Sequence, residues 1–216
     1  MKTTFICLAN SRKYGERCIA GIEVKQNGNY WEIIHKNDRP KWLRPVTDTA
    51  FGGVSPALVG RMNLLNIVEF EITTPVPNNY QSENVLFDTN SLTVLGSITP
   101  TFTNLSKLAN ANDFSIFAGH RNKIHRDNMA DINYSLALVE VQNMRVRVRD
   151  DNGHLRAEFV YQQYHYDLPI TDVNFIEQFT LNQGILDEAE HVFLSISLGI
   201  EHLEYYYKLV AGVIWF

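Results

Sequence analysis

This 216-residue chain has little of what most often announces chemistry. It holds only two cysteines, Cys7 and Cys18. No Cys-x-x-Cys and no His-x-x-x-His pair occurs, so a zinc site has no spacing to rest on. Two thiols in a reducing compartment read as buried free cysteines rather than a disulfide. No apolar run is long enough to cross a bilayer, so no membrane partner is expected. Met1-Lys2-Thr3-Thr4-Phe5 leads straight into a strand, without the apolar core and cleavage site of a secretory signal, and a cytoplasmic location is expected. Phe51-Gly52-Gly53 is a flexible turn and not a phosphate loop, because no Gly-Lys-Ser/Thr follows at the required spacing. An excess of positive charge is also missing. The net charge of -5 argues against indiscriminate binding of nucleic acid.

The charge that is present is unevenly placed. Residues 1–47 carry nine Lys or Arg against four acids, and residues 121–149 carry six against three. Residues 48–120 carry two against six, and residues 150–216 two against eleven. Two basic segments thus alternate with acidic ones. The acidic last part either faces a protein partner or is simply solvated.

The stretch Cys7–Gly21 organises the rest. Phe5 to Ala9 is a short apolar run that reads as a buried strand, and Cys18 to Ile22 is small and apolar again. Between them Asn10, Ser11, Arg12, Lys13, Tyr14, Gly15, Glu16 and Arg17 form a hairpin loop with three cations, an amide and an aromatic. Such a loop suits an anion; the alternative is an ordinary solvated turn. Trp42-Leu43-Arg44-Pro45-Val46 follows after a basic loop. Pro45 has no N–H for a ladder and predicts an edge or a bend. Arg44 beside Trp42 suits a nucleotide, the alternative being a barrel plug and a structural ion pair. Leu64–Ile72 is a strand. Gln81, Glu83 and Asn84 have base- or sugar-reading chemistry, or else satisfy backbone groups at a barrel end.

Residues 88–130 show little strand periodicity and read as a connector with a short helix over Leu105–Ala109. Phe114, Ile116 and Phe117 are expected to cover a core. The cluster His120-Arg121-Asn122-Lys123-Ile124-His125-Arg126 reads as surface. In the second half, strict alternation puts Arg145, Arg147 and Arg149 on one strand face, where an exposed row would contact phosphates. Acids of residues 150–216 are the intramolecular alternative, Glu158 across the ladder among them. Asp150-Asp151-Asn152-Gly153 is a hairpin turn, and Thr171-Asp172 opens a partly helical insertion. Many short strands with Gly and Pro turns predict a mainly β chain of two small barrels, 1–100 and 134–216, joined by a connector, 101–133.

Cys-Leu-Ala-Asn-Ser-Arg-Lys at Cys7–Lys13, followed by Arg17-Cys18-Ile19-Ala20-Gly21, resembles the opening of the prokaryotic dual OB-fold domain family. Trp42–Val46, Tyr80–Asn84, Ser197-Leu198-Gly199 and Tyr207–Ala211 resemble later parts of that family in order. The resemblance implies two OB-like barrels and a nucleic-acid-binding role within larger prokaryotic systems of the defence type. It carries over no catalytic site. The residues agree: no nucleophile has a base nearby in sequence, and Asp167 and Asp172 alone make no convergent carboxylate site. A non-catalytic module for single-stranded nucleic acid or a nucleotide is therefore expected, with no cofactor. A scaffold subunit and an enzyme acting on a nucleotide are the alternatives. Asn10, Ser11, Arg12, Lys13 and Arg17 are expected to line one concave site with Trp42 and Arg44 or with Gln81, Glu83 and Asn84.

Overall fold

The structure is a computed structural model and describes residues 1–109 and 114–216. It divides into two units, Met1–Leu108 and Ala109–Phe216. Residues 110–113, within the expected connector, lie outside the described residues.

The first unit runs β1 (Lys2–Lys13), β2 (Glu16–Asn27), β3 (Tyr30–Ile33), β4 (His35–Lys36), β5 (Arg39–Pro40), β6 (Trp42–Val46), α1 (Pro56–Val59), β7 (Asn66–Pro75), β8 (Asn84–Ser97) and α2 (Phe102–Leu108). The sheet order β1-β7-β8-β6-β2-β3, with β1 also paired to β2, closes a five-stranded barrel that leaves β3 outside the ring. All its ladders are antiparallel except β6–β8, where Arg44, Pro45 and Val46 face Asn84, Val85 and Leu86 in parallel. Thus β6 is paired on both sides. Pro45 is tolerated there because the ladder with β2 ends at Leu43, before the missing N–H matters.

Inside the barrel Phe5, Cys7, Ile19, Leu43, Val68, Phe70, Val85 and Phe87 pack together. Phe70 meets Phe5 and Phe87 edge-on, with ring centroids 5.3 and 5.6 Å away. Edge-to-face pairs of this kind add about 0.5–1.5 kcal/mol beyond area burial. The β1–β2 register slips between Cys7 and Ala9, and Gly21 stands opposite Cys7 at that bulge. A Cβ at Gly21 would overlap the Ile6 carbonyl and the Phe5 ring, so the close approach of the two strands requires glycine.

The second unit runs β9 (Lys123–His125), β10 (Leu136–Val148), β11 (Leu155–Tyr161), β12 (Tyr164–Pro169), α3 (Val173–Leu181), β13 (Val192–His202) and β14 (Tyr205–Trp215). Its sheet has the order β12-β11-β10-β13-β14-β9. The sheet curls, and the parallel bridge Ile170–Val210 joins the end of β12 to β14. The connectivity of the first barrel is thereby repeated. β1 lies between β2 and β7 as β10 lies between β11 and β13, β6 meets β8 in parallel as the end of β12 meets β14, and α1 follows β6 as α3 follows β12. This is a mainly β chain of two OB-like domains. The repeat has no visible sequence counterpart, because a ladder needs only a compatible inside–outside pattern.

Several expectations change. Residues 88–97 continue β8 rather than opening a connector. The alternation there is weak because most of these side chains are exposed or only half-buried, so no buried face is imposed. The remaining stretch is shared: α2 ends the first unit, and β9 pairs with β14 in the second. Ile116 and Phe117 are buried, whereas Phe114 is exposed. Cys7 is buried, its thiol 3.5 Å from the Ala9 carbonyl, and is in no disulfide, but Cys18, paired with Ser11 near the hairpin tip, is only partly covered.

Candidate nucleic-acid interface

The β1–β2 hairpin ends in the two-residue turn Tyr14-Gly15, with φ of 47° and 85°. Two successive positive φ values match the twist of the flanking strands, and Gly15 adopts one without cost. Arg12 pairs with Arg17, and Lys13 with Glu16, across the ladder. Facing cations repel one another across the ladder, and of the two Arg12 is exposed and Arg17 half-buried. Among the described residues, Arg12, Lys13 and Arg17 have no acid partner.

Glu16 faces inward and anchors a second loop. Its Oε2 accepts from the Gly53 N–H at 2.8 Å and from the Thr49 hydroxyl at 3.2 Å. Arg17 and Val54 exchange backbone hydrogen bonds of 2.8 Å in both directions. The loop from Thr49 to Val54 is thereby fixed alongside the hairpin. It brings Phe51 onto Tyr14, with ring centroids 4.5 Å apart. Tyr14 is 66% exposed and Phe51 47%. An aromatic pair this exposed, flanked by three unneutralised cations, combines a stacking surface with phosphate-binding charge. Sequence reasoning counts Tyr14 as the aromatic of the hairpin but not Phe51 as its partner, because the contact joins two loops that are remote in the chain.

Asn10 and Ser11, expected in the loop, are instead buried residues of β1 below this tip, because the strand runs on to Lys13. The Asn10 amide donates to the Met62 carbonyl at 3.0 Å and ties β1 to the chain beyond α1.

The other expected residues gather where β6 meets β8. Arg44 donates its backbone N–H to the Glu83 carbonyl at 2.8 Å. Its guanidinium lies 3.8 Å from the Glu83 carboxylate and donates to Asn84 Oδ1 at 3.4 Å. Asn84 in turn donates to Gln81 Oε1 at 3.3 Å. Trp42, Arg44, Glu83 and Asn84 are all buried, Arg44 to 2% exposure, and only Gln81 is partly open. The resemblance motifs at Trp42–Val46 and Tyr80–Asn84 thus converge, as a polar network inside the barrel wall. Arg44 is the cation that balances the buried Glu83.

In the second unit the arginine row is largely engaged. Arg147 donates to Glu158 at 2.8 Å and to Asp167 at 3.0 Å. Both hold its guanidinium pKa up, the Glu158 hydrogen bond most strongly. Arg149 is paired with Asp151, and Arg156 lies 2.5 Å from Asp167. Among the described residues Arg145 alone of the row has no acid partner.

Two ionisable groups of this unit are buried: Asp172, which the sequence already places at the opening of a helical insertion, and Lys208, for which the sequence gives no signal. Asp172 caps α3 through the Phe175 N–H at 3.1 Å and tethers it to β14 through the Val213 N–H at 2.9 Å. Burial pushes its carboxyl up to about 6, against the pull of those donors. Lys208, on β14, is fully buried, and desolvation lowers its amine to about 7. Tyr166 lies beneath it, with the amine 5.4 Å from the ring centre. Among the described residues no group of three or more His, Cys, Asp or Glu side chains is placed to hold a metal.

A family described as the dual OB-containing domain matches residues 3–213, and the chain belongs to that family. No curated protein matches it. Among solved structures, it is similar to a murine DNA-binding protein bound to double-stranded DNA, at 5% identity and a TM-score of 0.37, over 100% of this chain and 96% of that one. It is similar to the p204 HINb domain at 9% identity and a TM-score of 0.36, over 96% and 95%. It is also similar to the tetrameric p202 HIN2 at 8% identity and a TM-score of 0.32, over 100% and 92%. Likenesses at such identities concern the fold alone.

Proposed function

We propose that this chain is a non-catalytic nucleic-acid-binding module that takes single strands, or an unpaired nucleotide, at the β1–β2 hairpin. The observation that carries the reading is the exposed Tyr14–Phe51 pair beside Arg12, Lys13 and Arg17. Membership of the dual OB family supports it, since OB barrels bind oligonucleotides through the loop between their first two strands. The net charge of -5 limits binding to this local surface and leaves little for unspecific adhesion. Arg145 adds a further phosphate contact, whereas Arg147 and Arg149 must first leave their carboxylates. Trp42, Arg44, Glu83 and Asn84, being buried, shape the barrel that presents the hairpin. In this role the chain is the recognition subunit of a larger prokaryotic assembly.

The scaffold reading loses ground to the hydrogen bonds. Asp151, Glu158, Asp167, Glu201 and Glu204 face arginines of their own unit, and Asp172 is a buried cap. The test is oligonucleotide affinity against salt for the full chain and for Arg12→Ala/Lys13→Ala. Each lost single-strand phosphate contact lowers the log–log slope by roughly 0.7. Tyr14→Ala should weaken single strands more than duplex. Unchanged affinity in both folded variants would sink the hairpin reading.

A further inference from the structure

The basic cluster His120–Arg126 and the run Tyr205-Tyr206-Tyr207 are far apart in sequence, but β9 pairs with β14. Tyr205 stands opposite His125, and Tyr207 opposite Lys123. Alternate residues of a strand share a face, so Tyr205 and Tyr207 point the same way. Tyr206 turns from that face and donates its hydroxyl to Glu201 at 3.1 Å. On the shared face the tyrosine ring centroids are 6.5 Å apart. The Lys123 amine lies 3.5 Å from the centre of Tyr205 and 5.6 Å from that of Tyr207. The His125 ring meets Tyr205 edge-on at 5.1 Å, and the exposed His202 ring lies 6.4 Å from Tyr207. Lys123, His125, Tyr205 and Tyr207 are all half-buried.

We propose that this face is a second nucleic-acid contact, a stacking platform for the bases of a single strand. It lies in the second unit and shares only its class of ligand with the β1–β2 hairpin. The chemistry selects that ligand. Two aromatic rings on alternate positions form a π-surface on which the Lys123 amine holds one face of Tyr205, and stacking on such rings tolerates any base sequence. A duplex keeps its base faces covered and gains nothing from such rings. Charge sets the direction of the strand. Among the described residues Arg121 and Lys123 have no acid partner. Arg126, by contrast, faces Glu201 at 3.8 Å and Glu204 at 3.1 Å, and His125 faces Asp127 at 3.3 Å. The phosphates therefore run along the Arg121–Lys123 side, away from the carboxylates. Sequence reading places the 120–126 cluster on the surface and leaves it without a role, because the tyrosines it meets belong to the last strand.

The full chain is titrated with a fluorescein-labelled oligothymidylate and with a duplex of equal length. Tyr205→Leu/Tyr207→Leu keeps apolar bulk and removes the rings. It should weaken oligothymidylate binding about ten-fold or more and leave duplex binding and the salt slope unchanged. Lys123→Met should lower the slope by roughly 0.7. A 5-bromouridine oligonucleotide should cross-link to the peptide that contains Tyr205 and Tyr207. Wild-type affinity in the folded leucine variant overturns the platform and leaves the hairpin reading intact. Loss of binding in Arg12→Ala/Lys13→Ala, with the leucine variant unaffected, overturns it equally. If the leucine variant fails to fold, the cross-link decides, and its absence from that peptide overturns the proposal. No binding of any oligonucleotide by the wild-type chain overturns both readings.

Discussion

The Lys208 amine donates to the carbonyl oxygen of Gly119 at 2.6 Å, and the Tyr166 hydroxyl reaches the same oxygen at 3.3 Å. Just before this carbonyl, Phe117 and Ala118 both hold φ of 53°, a region that costs non-glycine residues energy. Beyond it, the Lys208 N–H donates to the Asn122 carbonyl at 3.0 Å, and the Asp167 N–H to its side chain at 3.2 Å. The segment is thus pinned against β12 and β14, two strands that, among the described residues, meet in a single bridge, Ile170–Val210. A buried lysine closes the part of the sheet that the ladder leaves open.

Stability should therefore depend on pH through Lys208. Its amine titrates near 7 when folded and near the usual 10.5 when unfolded. Between these values the unfolded chain binds the extra proton, so this contribution to stability rises as pH increases from 7 to 10.5 and is flat below 7. Urea unfolding of wild type and Lys208→Met across that window should diverge by up to about 1.4 kcal/mol per pH unit. Parallel curves would show that the amine keeps its proton in the fold.

Arg44 and Glu83 should be far more sensitive singly than together. Glu83→Leu leaves a buried guanidinium without its carboxylate and should cost about 3–5 kcal/mol. Arg44→Met/Glu83→Leu should regain a large part of that loss. A double-mutant cycle in denaturant measures it, and additive losses would mean that the pair does not interact.

Glu16→Ala separates geometry from charge at the hairpin. Removing an acid should by itself strengthen binding to an anion. Yet Glu16 holds the Gly53 N–H and the Thr49 hydroxyl, and so keeps Phe51 against Tyr14. Single-strand affinity should fall several-fold by anisotropy, within the roughly 1–3 kcal/mol of one stacked base. A rise would mean that charge alone governs the contact.

Gly21→Ala should destabilise the first barrel by about 3 kcal/mol or more, at the upper end of overpacking costs. The added methyl would meet the Ile6 carbonyl, which is backbone and cannot move aside. Thermal unfolding measures the loss, and a change below about 0.5 kcal/mol, the scale of a neutral surface substitution, would mean that β1 and β2 separate freely there.

Local pattern determined much of this protein. Apolar runs and alternation placed most strands of both barrels, though not the second half of β8 or β9, and Gly15 and Asp172 marked a hairpin turn and a helix cap. The cations Arg12, Lys13 and Arg17 were legible as a local cluster, but the eight-residue loop expected around them is a two-residue turn between longer strands, which sets them across a ladder. Tertiary structure decided what those side chains do. Arg44 and Arg12 look alike in sequence, but β6 lies inside a closed barrel wall and the hairpin tip does not, so one guanidinium is buried beside Glu83 and the other is solvated. Arg147 alternates with apolar residues as an exposed phosphate contact would, yet β11 and β12 bring Glu158 and Asp167 onto it. Lys123 meets Tyr205, and Tyr14 meets Phe51, only through long-range pairing. A ladder between distant strands is selected by mutual burial over the whole sheet, and no local stretch of residues encodes its partner.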